Sequence, residues 1–206
     1  MLKVERTSVM NLDNAIRGAR NPMNSWAKSD SYYNENGEFV LGEVDLDFGS
    51  RLCHAGGDHR KFIRQIFVSV DITAPLYWWK EFDTYKVGTG ANYCSTMHKI
   101  HAKPFEREDF SCDRMDEGGL KMLDAVIEYL ESERQKFCEN KNDRQSWHNM
   151  IQTLPSSYNQ MRTVTMNYEN LINMYYARNT HKLAEWHVFC DWIRSLPYAE
   201  QLILIK

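Results

Sequence analysis

The sequence predicts an α+β fold in which helices outnumber strands. Two segments, residues 66–72 and 158–166, carry the β-branched and aromatic density of strands, while apolar residues recur at helical spacing over most of the remainder. No internal repeat and no linker of domain-boundary composition interrupts this order, so residues 1–206 read as a single domain.

Ser8 is placed to cap a first helix that carries Leu12, Ala15, Ile16 and Ala19, with Pro22 beyond its end. Residues 21–42, rich in Ser, Asn and Gly, read as a loop. A second helix fits 44–55, closed by Gly56 and Gly57. After the strand at 66–72, Pro75 suits the first turn of a helix that bears Trp78, Trp79 and Phe82 and stops near Val87, because proline costs least at that position. Gly88 and Gly90 then open a loop through Asn92, Cys94 and His98. Leu120, Leu123, Val126, Ile127 and Leu130 mark a long amphipathic helix to about Cys138, followed by a shorter one over 145–154. Beyond the second strand, helices fit 167–177 and 180–195, the last stopped by Pro197. Trp78 and Trp79 read as core or interface ahead of a platform for a flavin or pterin ring, and Met150, Met161, Met166 and Met174 as core.

A formal net charge of -3 gives no global pull toward nucleic acid or an anionic membrane, so neither is an expected partner and any phosphate needs a local site. No apolar run approaches the roughly 20 residues of a membrane span, and the N-terminus lacks a signal-peptide core. The expected compartment is the cytoplasm. Cys53, Cys94, Cys112, Cys138 and Cys190 are widely spaced with no C-x-x-C pair, which indicates reduced thiols. His98 and His101 near Cys94 make the nearest approach to a ligand set, but no third spaced ligand joins them and no metal is expected.

The block Leu154-Pro155, then Thr163-Val164-Thr165-Met166-Asn167-Tyr168-Glu169-Asn170-Leu171-Ile172-Asn173, then Arg178, then Ala184-Glu185-Trp186 resembles the flavin-dependent thymidylate synthases, as does Ala15-Ile16-Arg17-Gly18-Ala19-Arg20. That resemblance implies an antiparallel sheet covered by helices and shared by residues 66–72 and 158–166. It also implies FAD as cofactor, a pyrimidine nucleotide such as dUMP as substrate, and methylene-tetrahydrofolate and a reduced nicotinamide cofactor as co-substrates. A homotetramer with sites shared between subunits is part of the same expectation.

The family's signature, Arg-His-Arg-x-x-Ser-x-Asn-Glu-x-Ser-x-Arg-Tyr, is matched here in position more than in residue type. Thr84-Tyr85-Lys86, Thr89, Ala91-Asn92, Cys94, Thr96 and Met97 occupy its places. Lys86 and Thr89 keep part of the chemistry. Thr84 and Thr96 stand where arginines would bind phosphates, and a hydroxyl does not replace a bidentate fork.

By resemblance, His59, Lys86, Thr89, Asn167 and Asn173 fall on the cofactor side, and Arg178 against the pyrimidine ring, where a cation can stabilise developing negative charge. Arg60, Lys61 and Arg64 add positive charge beside His59, read equally as a phosphate site or a solvated basic turn. Asn167 and Asn173 also suit water-facing helix positions, and Arg178 suits a plain helix end. Cys94, where the family has serine, is either a nucleophile toward the pyrimidine ring, its thiol acidified by Lys86 or His98, or an inert loop thiol. Three readings follow from this pattern: methylation of a uracil ring, a catalytically diverged protein that retains nucleotide and flavin binding, and, weaker than either, a structural oligomeric protein with no ligand.

Overall fold

The computed structural model describes residues 2–205. In chain order the helices and strands are β1 (Lys3–Met10), α1 (Leu12–Ala19), β2 (Tyr32–Tyr33), β3 (Phe39–Val40), α2 (Glu43–His54), β4 (Phe67–Pro75), α3 (Leu76–Phe82), β5 (Gly90–Tyr93), α4 (Glu117–Glu139), α5 (Arg144–Thr153), β6 (Asn159–Asn167), α6 (Tyr168–Arg178), α7 (Ala184–Arg194) and α8 (Ala199–Leu202). Four strands form a sheet in the order β1-β4-β6-β5, and β2 pairs with β3 in a separate antiparallel hairpin. The architecture is α+β, as the sequence predicts.

Val68, Val70, Ile72 and Ala74 alternate into the interior and make β4 the most regularly buried strand. Its pairing with β6 is antiparallel. The Tyr168 amide donates to the Ile66 carbonyl at 3.1 Å, and the Leu76 amide donates to the Tyr158 carbonyl at 3.0 Å, so residue numbers run in opposite senses.

Several boundaries differ from the sequence reading. Ser8 lies inside β1, and α1 starts after Asn11, which adopts the left-handed conformation at φ 67°. This strand lies at the end of the sheet order and is mostly exposed, so it lacks the alternation that marks a strand in sequence. Residues 21–42 contain two 3-10 turns and the β2–β3 hairpin. Pro75 ends β4 with φ -68° and ψ 151° and flanks α3, since one proline φ serves both a strand end and a helix start. Helix α3 stops at Phe82 rather than Val87, and the Thr84 hydroxyl donates to the Glu81 carbonyl at 2.7 Å as the chain turns. Met161 points outward from β6 with 39% of its surface exposed, whereas Met150, Met166 and Met174 are core.

Contacts divide the chain into two compact units. The first comprises residues 2–3, Ile72–Thr84 and Asn92–Thr163. Its centre is the α4–α5 pair, joined by Ile100, Phe105, Phe110, Leu123, Leu130 and Met150. Trp78, Trp79 and Phe82 stack edge-on nearby in the same unit, with Trp78 and Trp79 fully buried, which is the packing role expected of them. On α4, Glu131 accepts both arms of the Arg134 fork at 2.7 Å and the Phe105 amide at 3.1 Å.

Arg134 first, then these hydrogen bonds, bring the Glu131 pKa from 4.5 to about 2. A folded pKa below the unfolded one adds stability above pH 4.5 that is lost as pH falls toward 2. Between pH 7 and pH 3 the loss amounts to about 2 kcal/mol. Urea unfolding of Glu131→Gln at both pH values is expected to show a smaller acid loss than the parent by that amount. An identical acid loss would contradict the role given to this carboxylate.

The second unit comprises Val4–Asp71, Tyr85–Ala91 and residues 164–205. Helix α1 packs on the 3-10 turn Lys61–Gln65, α2 on α8, and α6 on both α7 and that turn. Arg20 and Asp45 form an ion pair with 4% and 0% of their side chains exposed.

Candidate functional site

Helix α6 organises six of the seven residues singled out from sequence, all in the second unit. Its first turn is locked by a reciprocal capping box. Asn167 accepts the Asn170 amide at 2.9 Å, and Asn170 accepts the Asn167 amide at 3.0 Å. Asn167 is therefore the N-cap of α6, and its carbonyl-type oxygen is committed to the helix. The Asn170 amide nitrogen also donates to the Val87 carbonyl at 2.8 Å, fastening the segment Tyr85–Ala91 against this helix end. Gly88 makes that approach with φ 77°, and a Cβ there would stand 3.1–3.4 Å from the Asn167 and Asn170 amides.

Within the fastened segment, the Thr89 hydroxyl donates to the Tyr85 carbonyl at 2.5 Å. Lys86 is exposed. The Tyr85 ring meets the far end of α6, where the Arg178 Nε donates to its hydroxyl at 2.9 Å. The Arg178 guanidinium also lies 4.8 Å from the Trp186 ring centre, and the Tyr85 and Trp186 rings stand 6.2 Å apart, edge to face. Two aromatic rings from different elements thus hold one half-buried cation at the C-terminus of α6, where the helix dipole favours it.

His59 is exposed on the turn after α2. Its neighbour Arg60 spans the Glu169 carboxylate with both arms, at 3.0 and 2.8 Å. Glu169 raises the Arg60 pKa and takes up its charge, and the exposed Arg64 also reaches this carboxylate at 4.0 Å, so Lys61 is the lysine or arginine of this turn that forms no ion pair among the described residues. Arg60, Ile172, Asn173, Tyr176 and Ala177 line a cleft of about 330 Å³.

Cys94 lies in the first unit, immediately after β5. Its amide donates to the Met161 carbonyl at 3.0 Å and its carbonyl accepts the Gln160 side-chain amide at 2.8 Å, while the thiol is exposed. Gln160 is held in turn by the Arg162 Nε at 3.0 Å, and Arg162 reaches Asp83 at 2.7 Å with its guanidinium 4.1 Å over the Trp79 ring. The thiol of Cys94 receives no hydrogen bond from His98 or any other described residue. Cys138 differs: its sulfur is approached at 3.5 Å by both Arg134 and Lys141. Among the described residues no three His, Cys, Asp or Glu side chains gather as a metal site, and no helix is long and apolar enough to cross a membrane.

Structural comparison gives matches over nearly the whole chain. Thymidylate synthase X from Helicobacter pylori, in complex with FAD and dUMP, aligns with a TM-score of 0.70 at 17% identity, covering 98% of this chain and 97% of that one. A second structure of that enzyme with FAD and dUMP aligns at 0.69 and 18% identity, over 98% and 97% of the two chains. This chain has the fold of the flavin-dependent thymidylate synthases. PolB from Streptomyces cacaoi, a UMP/dUMP methylase bound with 5-Br dUMP, aligns at 0.63 and 12% identity, covering 99% of this chain and 95% of that one. No family model and no curated protein matches the sequence.

On this thymidylate synthase fold, Tyr85 and Trp186, named from sequence only within the resembling motifs, hold Arg178, and Gln160 and Arg162, which the sequence reading missed, hold the Cys94 backbone. Gln160 and Arg162 carry a legible signal, two polar residues at strand spacing in a segment otherwise rich in apolar and β-branched side chains. Tyr85 carries none, because its partner lies 93 positions away.

Proposed function

We propose that the protein binds FAD and a pyrimidine nucleotide and acts in flavin-dependent methylation of a uracil ring, dUMP to dTMP or a variant of it. The observation that carries this reading is Arg178, oriented by the Tyr85 hydroxyl and the Trp186 face on a fold whose solved examples include complexes with FAD and dUMP. Methylene-tetrahydrofolate as carbon source, a reduced nicotinamide cofactor and a homotetrameric assembly belong to the same proposal.

The donor set suits the pyrophosphate of FAD. Asn173 and Tyr176 line the cleft beside Arg60, and His59, Lys61 and Arg64 stand exposed on the adjoining turn as donors for a pyrophosphate. When bound, the flavin supplies the hydride that completes the new methyl group. The chain's own residues do the positioning. Lys86 supplies a mobile charge on a segment whose backbone is fixed by Asn170, and Thr89 keeps that turn closed. Arg178, unable to lose its proton, presents a fixed positive charge to a pyrimidine carbonyl. Asn167 stabilises α6 and with it the spacing between the fastened segment and Arg178. Cys94 is exposed and available as a thiol nucleophile toward the ring, with its backbone held on both sides.

A second reading, a protein that keeps nucleotide and flavin binding without methyl transfer, is favoured by one observation: Glu169 neutralises Arg60, which leaves few cations for phosphate. By the resemblance, Thr84 and Thr96 also stand where the signature has arginines. Binding of FAD by the purified protein, followed through the flavin's visible absorbance and fluorescence, tests what the two readings share. Added dUMP with a reduced nicotinamide cofactor and methylene-tetrahydrofolate then separates them, since only the first yields dTMP.

A further inference from the structure

We propose that the open cleft between α1 and the β2–β3 hairpin binds a planar aromatic acid, a ligand separate from the flavin and nucleotide of the proposed function. The cleft has a volume of about 280 Å³, enough for one or two fused rings. Its apolar walls are Trp26, Tyr33 and Phe39 over a floor at Ile16. Tyr33 and Phe39 meet edge-on with ring centres 5.6 Å apart, so aromatic faces and edges are presented to whatever enters.

The polar floor is already built and satisfied. Asp45 accepts the hydroxyls of Ser29 and Ser31 at 2.5 Å and the Arg20 Nε at 2.6 Å. The remaining Arg20 nitrogens reach the Ser25 and Lys28 carbonyls at 3.4 Å. Trp26 is fixed by its indole nitrogen, which donates to Asn21 at 2.9 Å. Tyr33 is fixed by its hydroxyl, which donates to Asp13 at 2.5 Å. The walls are therefore held in place before any ligand arrives, which lowers the ordering cost of binding.

Arg17 differs from every other charged group around this cleft. It lies on the lip, exposed, and forms no ion pair among the described residues, while Arg20 is spent on Asp45 and Asp13 is engaged by Tyr33. A rigid aromatic slot with one uncommitted guanidinium at its edge suits a flat ring bearing a carboxylate, bound through stacking at one end and a two-pronged ion pair at the other.

The test uses naphthalene-2-carboxylate, its neutral analogue 2-naphthamide and the non-aromatic cyclohexanecarboxylate, each titrated into the full chain. The readout is the Trp26 indole N–H resonance, assigned with Trp26→Phe. Naphthalene-2-carboxylate is expected to shift that resonance saturably, with cyclohexanecarboxylate at least tenfold weaker. Arg17→Gln is expected to weaken the naphthoate at least tenfold and leave 2-naphthamide unchanged. Arg17 is exposed, so the variant folds, and its FAD binding is expected to equal the parent's, which keeps this result apart from the fate of the flavin reading. No saturable Trp26 shift at millimolar naphthoate would overturn the proposal, and so would an Arg17→Gln variant that binds it as tightly as the parent.

Discussion

Replacing Asp45 by asparagine is expected to destabilise the protein by about 3–5 kcal/mol, the range for removing one partner of a buried ion pair. The argument rests on Arg20. Its guanidinium has 4% of its surface exposed, its Nε and Nη2 both point at Asp45, and its remaining contacts are two carbonyls at 3.4 Å and the Phe48 ring. An amide of the same shape leaves that charge buried with no counter-charge. It also weakens the acceptor that gathers Ser29 and Ser31, so the segment before β2 loosens with it. Urea unfolding measures the effect. The double variant Arg20→Met with Asp45→Leu, which removes both charges, is expected to recover most of the loss, because two apolar side chains need no partner there. A loss below about 1 kcal/mol for Asp45→Asn would show that water reaches Arg20 and that the pair is not the anchor assigned to it.

Replacing Arg178 by alanine is expected to weaken dUMP binding about ten- to a hundredfold, the equivalent of one lost charge-assisted hydrogen bond of roughly 1.5–3 kcal/mol. Flavin binding is expected to persist, since His59, Asn167 and Asn173 lie elsewhere on α6 and on the turn before β4, and the segment that carries Lys86 and Thr89 is also fastened to α6 by Asn170. Arg178→Lys keeps the charge but loses the planar fork and its stacking on Trp186, so an intermediate affinity is expected. Tyr85→Phe removes the hydroxyl that orients Arg178 without touching its charge, and a smaller loss follows from it. Calorimetric titration with dUMP ranks the four proteins. An alanine variant that binds dUMP as tightly as the parent would refute the role of Arg178.

The ordering of that series depends on contacts that sequence reading reaches only in part. Helix α6 was legible because Leu171, Ile172, Met174 and Tyr175 recur on its buried face, and β4 because four alternate residues are apolar. The start of α6 was legible to within one residue, but the work of Asn167 was not: an asparagine before a helix reads as a cap only once the strand before it is seen to end there. Strands β1 and β5 were illegible for one physical reason. Both are almost wholly exposed and so lack the hydrophobic alternation that burial of one face imposes.

The candidate site divides the same way. Residues chosen by type and by resemblance, such as Arg178 and Thr89, sit in defined environments, whereas the groups that orient them could be found only through folding. Glu169 is the sharpest case. From sequence it is a helix-start acid favoured by the dipole, and in the fold it also cancels Arg60, a cation that the sequence offered to phosphate. Cys94 shows the converse. The cations invoked to acidify it from sequence were Lys86 and His98, yet the structure attaches its backbone to Met161 and Gln160 and leaves the sulfur without a hydrogen-bonded partner among the described residues.

The central claim is that this fold still holds a flavin. Titrating the purified protein with FAD, and reading the quenching of flavin fluorescence together with the displacement of its visible bands, tests that claim most directly. Saturable binding of one FAD per chain, retained when Arg178 is replaced by alanine, is the predicted result; absence of any saturable FAD signal, with dUMP present or absent, would contradict it.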